Sequence, residues 1–180
     1  MGSSIAWNLA KASAKDDLLV IEPDPTYEFA ATPRAVGGIR FVQGLKENIE
    51  MSLYGRHVFK NFTHELGIDE DIVDLNFHEC GYLFLGTKDQ SKSFEKNQKM
   101  LTGCGAEILL LDKEKLKALL PRFNFKDVEA GLYSPSDARI DPYSALRGFK
   151  QAAVNLGVEY KKDRVVGINH NNRTVKSLKL

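Results

Sequence analysis

The sequence predicts an α/β fold with an inserted α+β region, and three observations predict it. The chain opens on a helix followed by LLVI at 18–21, a short continuous apolar run that suits a strand in a parallel sheet. A long amphipathic helix and then strands mixed with helices follow. A capped helix and short strands close the chain, which restores the alternating order of an α/β protein.

Composition narrows the class. Of 180 residues, 43% are hydrophobic and 27% charged, as in a globular chain and unlike a membrane protein. The length suits one domain or somewhat more. A net charge of +1 gives no electrostatic case for nucleic acid. No apolar run approaches the roughly 20 residues that span a bilayer. No basic segment leads into a long apolar core, so no signal peptide is expected. Cys80 and Cys104 lack CxxC spacing and are expected as reduced thiols, which points to a cytoplasmic setting; a disulfide between them is the alternative.

Residues Ser3 to Ala12 read as a helix whose apolar stripe is Ile5, Ala6, Leu9 and Ala10. Asp16 and Asp17 mark a turn. Leu18 to Ile21 form the strand, covered on both faces, and Pro23 and Pro25 stop the chain after Glu22. Thr26 to Gly44 show no period, and the stretch ATPRAVGGIRF is rich in small residues. Lys46 to Leu66 read as one long helix with Ile49, Leu53, Val58, Phe59 and Phe62 near one face, and Gly67 is placed to end it. Strands are expected at Ile72 to Phe77 and Gly81 to Leu85. A charged helix is expected from Lys88 to Leu101, then a strand from Glu107 to Leu111. Asp112 is placed to cap a short helix that ends before Pro121. Ala130 to Tyr133 suit a strand. Asp141 and Pro142 start a helix, because proline is tolerated at the first helical position, and Gly157 ends it. Val158 to Tyr160, Val165 to Ile168 and Val175 to Leu178 are short strand candidates.

The first 22 residues match the back half of a dinucleotide-binding unit. Such a unit runs strand, glycine-rich turn, helix, second strand, and an acid at that strand's end. Gly2 fits its third glycine, Ser3 and Ser4 the helix start, and Glu22 the acid that bonds ribose hydroxyls. The helix start would face a pyrophosphate with free N–H groups. The first strand and first two glycines would precede Met1, so the chain is expected to be a piece of a longer protein, marginal alone and poor at holding a cofactor. Gly2 and Glu22 fit an ordinary helix–strand pair as well.

The stretches MGSSIAWNLA, VIEPDPTYEFAATPRAVGGIRF and ENIEMSLYGRHVFKNF, with GYLFLGT, GLYSPSDARIDPYSAL and VNLGVEYKKDRVVGI in the same order, resemble the D-amino-acid oxidase-like FAD-dependent oxidoreductases. That superfamily includes sarcosine oxidase and dehydrogenase, dimethylglycine dehydrogenase, glycine oxidase and the FAD-dependent oxidoreductase domain-containing proteins. The resemblance implies a partial Rossmann-like FAD-binding domain over residues 1–70, part of a substrate domain over 71–135, and a return to the FAD-binding domain over 136–180. It implies FAD as cofactor and oxidation of the C–N bond of an amino acid or N-methylated amine, a small-molecule substrate. A non-catalytic flavoprotein that assembles a respiratory complex is the alternative. An NAD-dependent dehydrogenase is a further one, against which the AVGGIR stretch argues. A mitochondrial setting is the alternative to a cytoplasmic one.

The resemblance also implies roles. Gly2, Ser3 and Ser4 would sit at the FAD pyrophosphate, Glu22 at the ribose with Pro23 beside it, and Thr32, Arg34 and Ala35 along the cofactor. Gly37, Gly38 and Ile39 would pass the isoalloxazine ring, which adjacent glycines can approach without a Cβ clash. Arg40 would stabilise negative charge on reduced flavin or a substrate carboxylate. Val165 would meet the adenine through its main chain. Read as residues alone, Arg34 and Arg40 also suit solvated loop charges, and Gly37–Gly38 a plain turn. Tyr133 and Tyr143 are expected as core aromatics. His57, His64, His78 and His170 have no metal-ligand spacing and are expected at the surface or in packing, with no metal site.

Overall fold

A computed structural model describes residues 1–13 and 17–180. The elements in order are α1 (Gly2–Ala12), β1 (Leu19–Ile21), β2 (Gly38–Ile39), α2 (Lys46–Lys60), α3 (Phe62–Leu66), a 3-10 turn at Glu70–Ile72, β3 (His78–Glu79) and β4 (Tyr82–Gly86). Then come α4 (Lys88–Gly103), β5 (Leu109–Asp112), α5 (Lys113–Leu119), β6 (Ala130–Ser134), β7 (Ala138–Arg139), α6 (Pro142–Asn155), β8 (Glu159–Lys161), β9 (Gly167–Asn171) and β10 (Thr174–Lys179). They form two compact units. One comprises Met1–Ala35, Thr63–Asp74 and Pro142–Leu180; the other comprises Val36–Phe62 and Leu75–Asp141. The second unit thus takes in residues 36–62, which lie before the boundary expected near residue 70.

In the first unit β1 and β8 pair in parallel, with Val20 opposite Tyr160, and α1 packs on α6. Small residues make that approach close. Ala6 and Ala10 of α1 and Ala145, Gly148, Ala152 and Ala153 of α6 are buried, and Trp7 meets Phe149 edge-on at 5.7 Å. The buried face of α1 is therefore Ala6, Trp7 and Ala10. Ile5 and Leu9, expected in the stripe, stand 58% and 51% exposed, because Trp7 rather than Leu9 is the large side chain turned to α6. β1 also differs from expectation. Leu19 is 52% exposed, so the strand is not covered on both faces. β9 and β10 form a separate antiparallel ribbon. Asp16, half of an expected turn, lies outside the described residues.

The second unit holds an antiparallel sheet ordered β4-β6-β5 and a smaller one ordered β2-β7-β3. Its core is Phe41, Ile49, Leu101, Ala106, Ile108 and Leu132, all buried. Gly131 in the central strand lets Leu116 and Leu83 close over it. The helix expected over Lys46 to Leu66 breaks at Asn61, whose backbone and side-chain nitrogens both donate to the His57 carbonyl, at 3.2 and 3.0 Å. The strand expected at Ile72 to Phe77 is a 3-10 turn and then irregular chain, extended at Val73 and left-handed at Asn76, with φ +47°. Val73 and Leu75 are buried while Asp74 and Asn76 are exposed, so the alternation is real, but no ladder forms on it.

The predicted punctuation holds. Asp112 Oδ1 accepts the Lys115 N–H at 2.9 Å and caps α5. Pro142 opens α6, and Gly67 and Gly157 end their segments at φ of +64° and +89°, where glycine carries no Cβ penalty. Cys80 and Cys104 are free. Tyr133 is half-buried, whereas Tyr143 is 42% exposed and is not a core aromatic; it stands on the outward side of α6. All four histidines are exposed. Among the described residues no helix is long and apolar enough to cross a membrane.

Candidate functional site

In the first unit, several candidate residues gather at two places. Gly2, Ser3 and Ser4 form the first turn of α1, where N–H groups have no partner within the helix. No acidic residue stands in that turn, and a Cβ at Gly2 would meet nothing within 4 Å. Such a turn is a ready receptor for an anion. Glu22 stands at the carboxyl end of β1. Its N–H donates to the Lys161 carbonyl at 2.9 Å, which sets it beside the end of β8. Its carboxylate Oε1 accepts the Asp24 N–H at 2.9 Å and fixes the turn that follows. Carboxyl ends of parallel strands are where ligands bind in doubly wound sheets. Val165 lies in the loop after β8, and Pro23 is exposed beside Glu22.

Two tyrosines that sequence reasoning missed lie close to these residues. The Tyr27 and Tyr160 hydroxyl oxygens are buried without a hydrogen-bond partner. Burial, then the neighbouring Tyr160 phenol and Glu22 carboxylate, push the Tyr27 phenol up to about 12, and the Ser3 hydroxyl opposes that shift. Burial likewise raises Tyr160. The Lys150 ammonium sits 5.0 Å from the Tyr27 ring centre and 5.3 Å from that of Tyr160. Tyr27 adopts φ +59°, a left-handed conformation unusual for a bulky residue.

Thr32, Arg34 and Ala35 belong to a run of turns, in which the Arg34 and Ala35 N–H groups donate to Ala31 and Thr32 carbonyls. Arg34 turns back locally. Its Nε donates to the Glu28 carbonyl at 3.2 Å and its guanidinium lies 5.0 Å from the Phe29 ring centre.

In the second unit, Gly37 to Arg40 form one tethered segment. Gly37 is at φ +77°, its carbonyl accepts the Ile140 N–H at 3.0 Å, and Gly38 and Ile39 pair with Arg139 and Ala138. Arg40 is exposed and lies across Tyr82. Its Nη2 donates to the Tyr82 hydroxyl at 2.9 Å, and the guanidinium carbon is 4.4 Å from the ring centre. A Cβ on Gly38 would come 3.1 Å from the Tyr82 oxygen and 3.2 Å from Arg40 nitrogens, so the missing side chain leaves room for the pair. Tyr82 is the partner that sequence reasoning missed; the residues are 42 apart in the chain and no local pattern links them. The result is a cation, a phenol and bare backbone on one exposed surface, a set suited to an anionic or flat, electron-rich group.

The family model for FAD dependent oxidoreductases, abbreviated DAO, matches residues 1–179. The chain belongs to this family. It is 35% identical over 163 residues to FAD-dependent oxidoreductase domain-containing protein 1 of Xenopus laevis, covering 88% of this chain and 33% of that protein. It is 32% identical over 164 residues to the mitochondrial dimethylglycine dehydrogenase of Homo sapiens, covering 89% of this chain and 18% of that protein. Among solved structures it resembles L-proline dehydrogenase from P. horikoshii, with TM-score 0.81 and 26% identity over 98% of this chain and 45% of that one. The chain thus spans about a third of the length of the first of these relatives.

Proposed function

We propose that the protein to which this chain contributes oxidises the C–N bond of an amino acid or N-methylated amine, with FAD as the hydride acceptor. Family membership supports the flavin, and the names of the dimethylglycine and L-proline dehydrogenases support the substrate class. The observation that carries the reading is Arg40 laid on Tyr82 beside Gly38.

The residues fit the cofactor by their chemistry. In the first unit, the open first turn at Gly2, Ser3 and Ser4 would take the pyrophosphate, Glu22 the ribose hydroxyls, and the chain at Val165 the adenine. Pro23, Thr32, Arg34 and Ala35 would line it. In the second unit, Gly37, Gly38 and Ile39 would offer backbone to the isoalloxazine. Bound FAD supplies the two-electron chemistry that no side chain here can. Arg40 would contribute a fixed positive charge, strongest where water is excluded, toward a substrate carboxylate or the charge that accumulates on reduction. The Tyr82 hydroxyl orients that charge. We take the unit built on α1, β1, α6 and β8 as cofactor-binding, and the unit built on β4, β5 and β6 as bearing substrate-side surface.

The test is anaerobic mixing of the flavin-loaded protein with sarcosine, dimethylglycine or L-proline, read as bleaching of visible flavin absorbance. Bleaching by one of them, slowed in Arg40→Lys, is expected. Bound flavin that none of them bleaches would favour a non-catalytic flavoprotein.

A further inference from the structure

Asp137 is fully buried, at 0% exposure. A buried carboxyl is costly unless its oxygens are satisfied. Asp137 is used heavily. Its Oδ1 accepts the Phe41 N–H at 3.1 Å and the Ser134 hydroxyl at 2.6 Å. Its carbonyl accepts the Cys80 and Gly81 N–H groups at 3.1 and 2.9 Å. Its second carboxyl oxygen has no partner. The residue immediately precedes β7, the middle strand between β2 and β3.

Arg40 therefore sits between two anchors. On one side Ile39 pairs with Ala138; on the other the Phe41 N–H is held by Asp137. Phe41 itself is 1% exposed, so the backbone leaving Arg40 is fixed at its amide and its side chain. We propose that Asp137 is a positioning residue for Arg40: by holding the Phe41 amide it sets the backbone from which the guanidinium reaches Tyr82. Its bearing on catalysis rests on the role proposed for Arg40 above. The working contact is the oxygen acceptor, not the charge. Burial pushes the Asp137 carboxyl up, against the opposing pull of Ser134, Phe41 and the Arg40 charge, and its second oxygen has no hydrogen-bond partner.

The test reads Arg40 directly, in the chain without added flavin. Phenylglyoxal modifies accessible arginines, and peptide mass spectrometry gives the rate at each. Asp137→Ala is expected to raise the Arg40 rate about 2- to 10-fold, the equivalent of one lost hydrogen bond. Asp137→Asn keeps the oxygen and is expected to match the unmodified chain. Arg34, tied to Glu28 and Phe29, serves as the internal control and should not change. An unchanged Arg40 rate in Asp137→Ala, or an equal rise in Asp137→Asn, overturns the proposal. Should Asp137→Ala fail to fold, Asp137→Glu is compared with Asp137→Asn. Moving the acceptor by one methylene should raise the Arg40 rate while losing the charge should not, and any other pattern overturns the proposal. Failure of the functional reading has a separate signature: Arg40→Lys would leave flavin bleaching unaltered, whatever the phenylglyoxal rates show.

Discussion

Replacing Gly38 with alanine tests the Arg40–Tyr82 pair with one methyl group. The added Cβ would stand 3.1 Å from the Tyr82 hydroxyl and 3.2 Å from Arg40 Nε and Nη2. Those distances fall short of ordinary contact by a few tenths of an ångström, and the atoms met are the far ends of flexible side chains. The strain is relieved when the pair parts. What is lost is the 2.9 Å hydrogen bond, about 0.5–1.5 kcal/mol, and the ring contact, about 0.5–1 kcal/mol at an exposed site. Gly38 is outside the left-handed region, so alanine also restricts the unfolded chain and returns about 0.4–1 kcal/mol. The balance is a loss of at most about 2 kcal/mol, centred near 1. Urea denaturation measures it, and the Arg40 phenylglyoxal rate should rise in the same variant. A loss above about 3 kcal/mol would mean that the methyl group strains backbone rather than side-chain ends. An unchanged Arg40 rate would mean that the pair does not hold the guanidinium.

Two further outcomes follow from packing and burial. A Cβ at Gly131 would come 2.6 Å from Leu116 Cδ2 and 3.0 Å from Leu83 Cδ1 in the filled core of the second unit, so Gly131→Ala should cost about 1–3 kcal/mol in the same denaturation assay. Tyr27 has a phenol near 12 in the folded chain against 10.0 unfolded, so between those values the unfolded state releases its proton first. Stability from this group is present below pH 10 and lost as pH rises toward 12. Thermal melts across that window should show an alkaline decline that Tyr27→Phe reduces.

The elements legible in the sequence are those whose cause is local. The Asp112 cap, the Pro142 start and the Gly67 and Gly157 stops each depend on one residue's backbone chemistry. The LLVI strand was legible as well, from its continuous apolarity, but its parallel pairing with β8 was not, because that partner lies far along the chain. β2, β3 and β7 were not legible, being two residues each and stabilised by partners far along the chain; Arg139 pairs with both Gly38 and His78. The break at Asn61 was hidden because apolar spacing runs on through Phe62. At the candidate site, Gly2, Glu22 and the Gly37 to Arg40 segment could be nominated from sequence. Tyr82, Tyr27, Tyr160 and Asp137 could not, because a turn-like SPSD and isolated tyrosines carry no signal until the fold brings their partners to them.

We propose that the first unit offers adenine-side contacts for FAD and that the second offers backbone for its ring. Backbone amide chemical shifts followed during titration with FAD test it most directly, and they report weak binding as well as tight. Shifts are expected to concentrate at Ser3, Ser4, Glu22, Gly38 and Ile39, and to weaken in Glu22→Ala. Shifts confined to other residues, or a Glu22→Ala chain that responds as the unmodified one does, would contradict it.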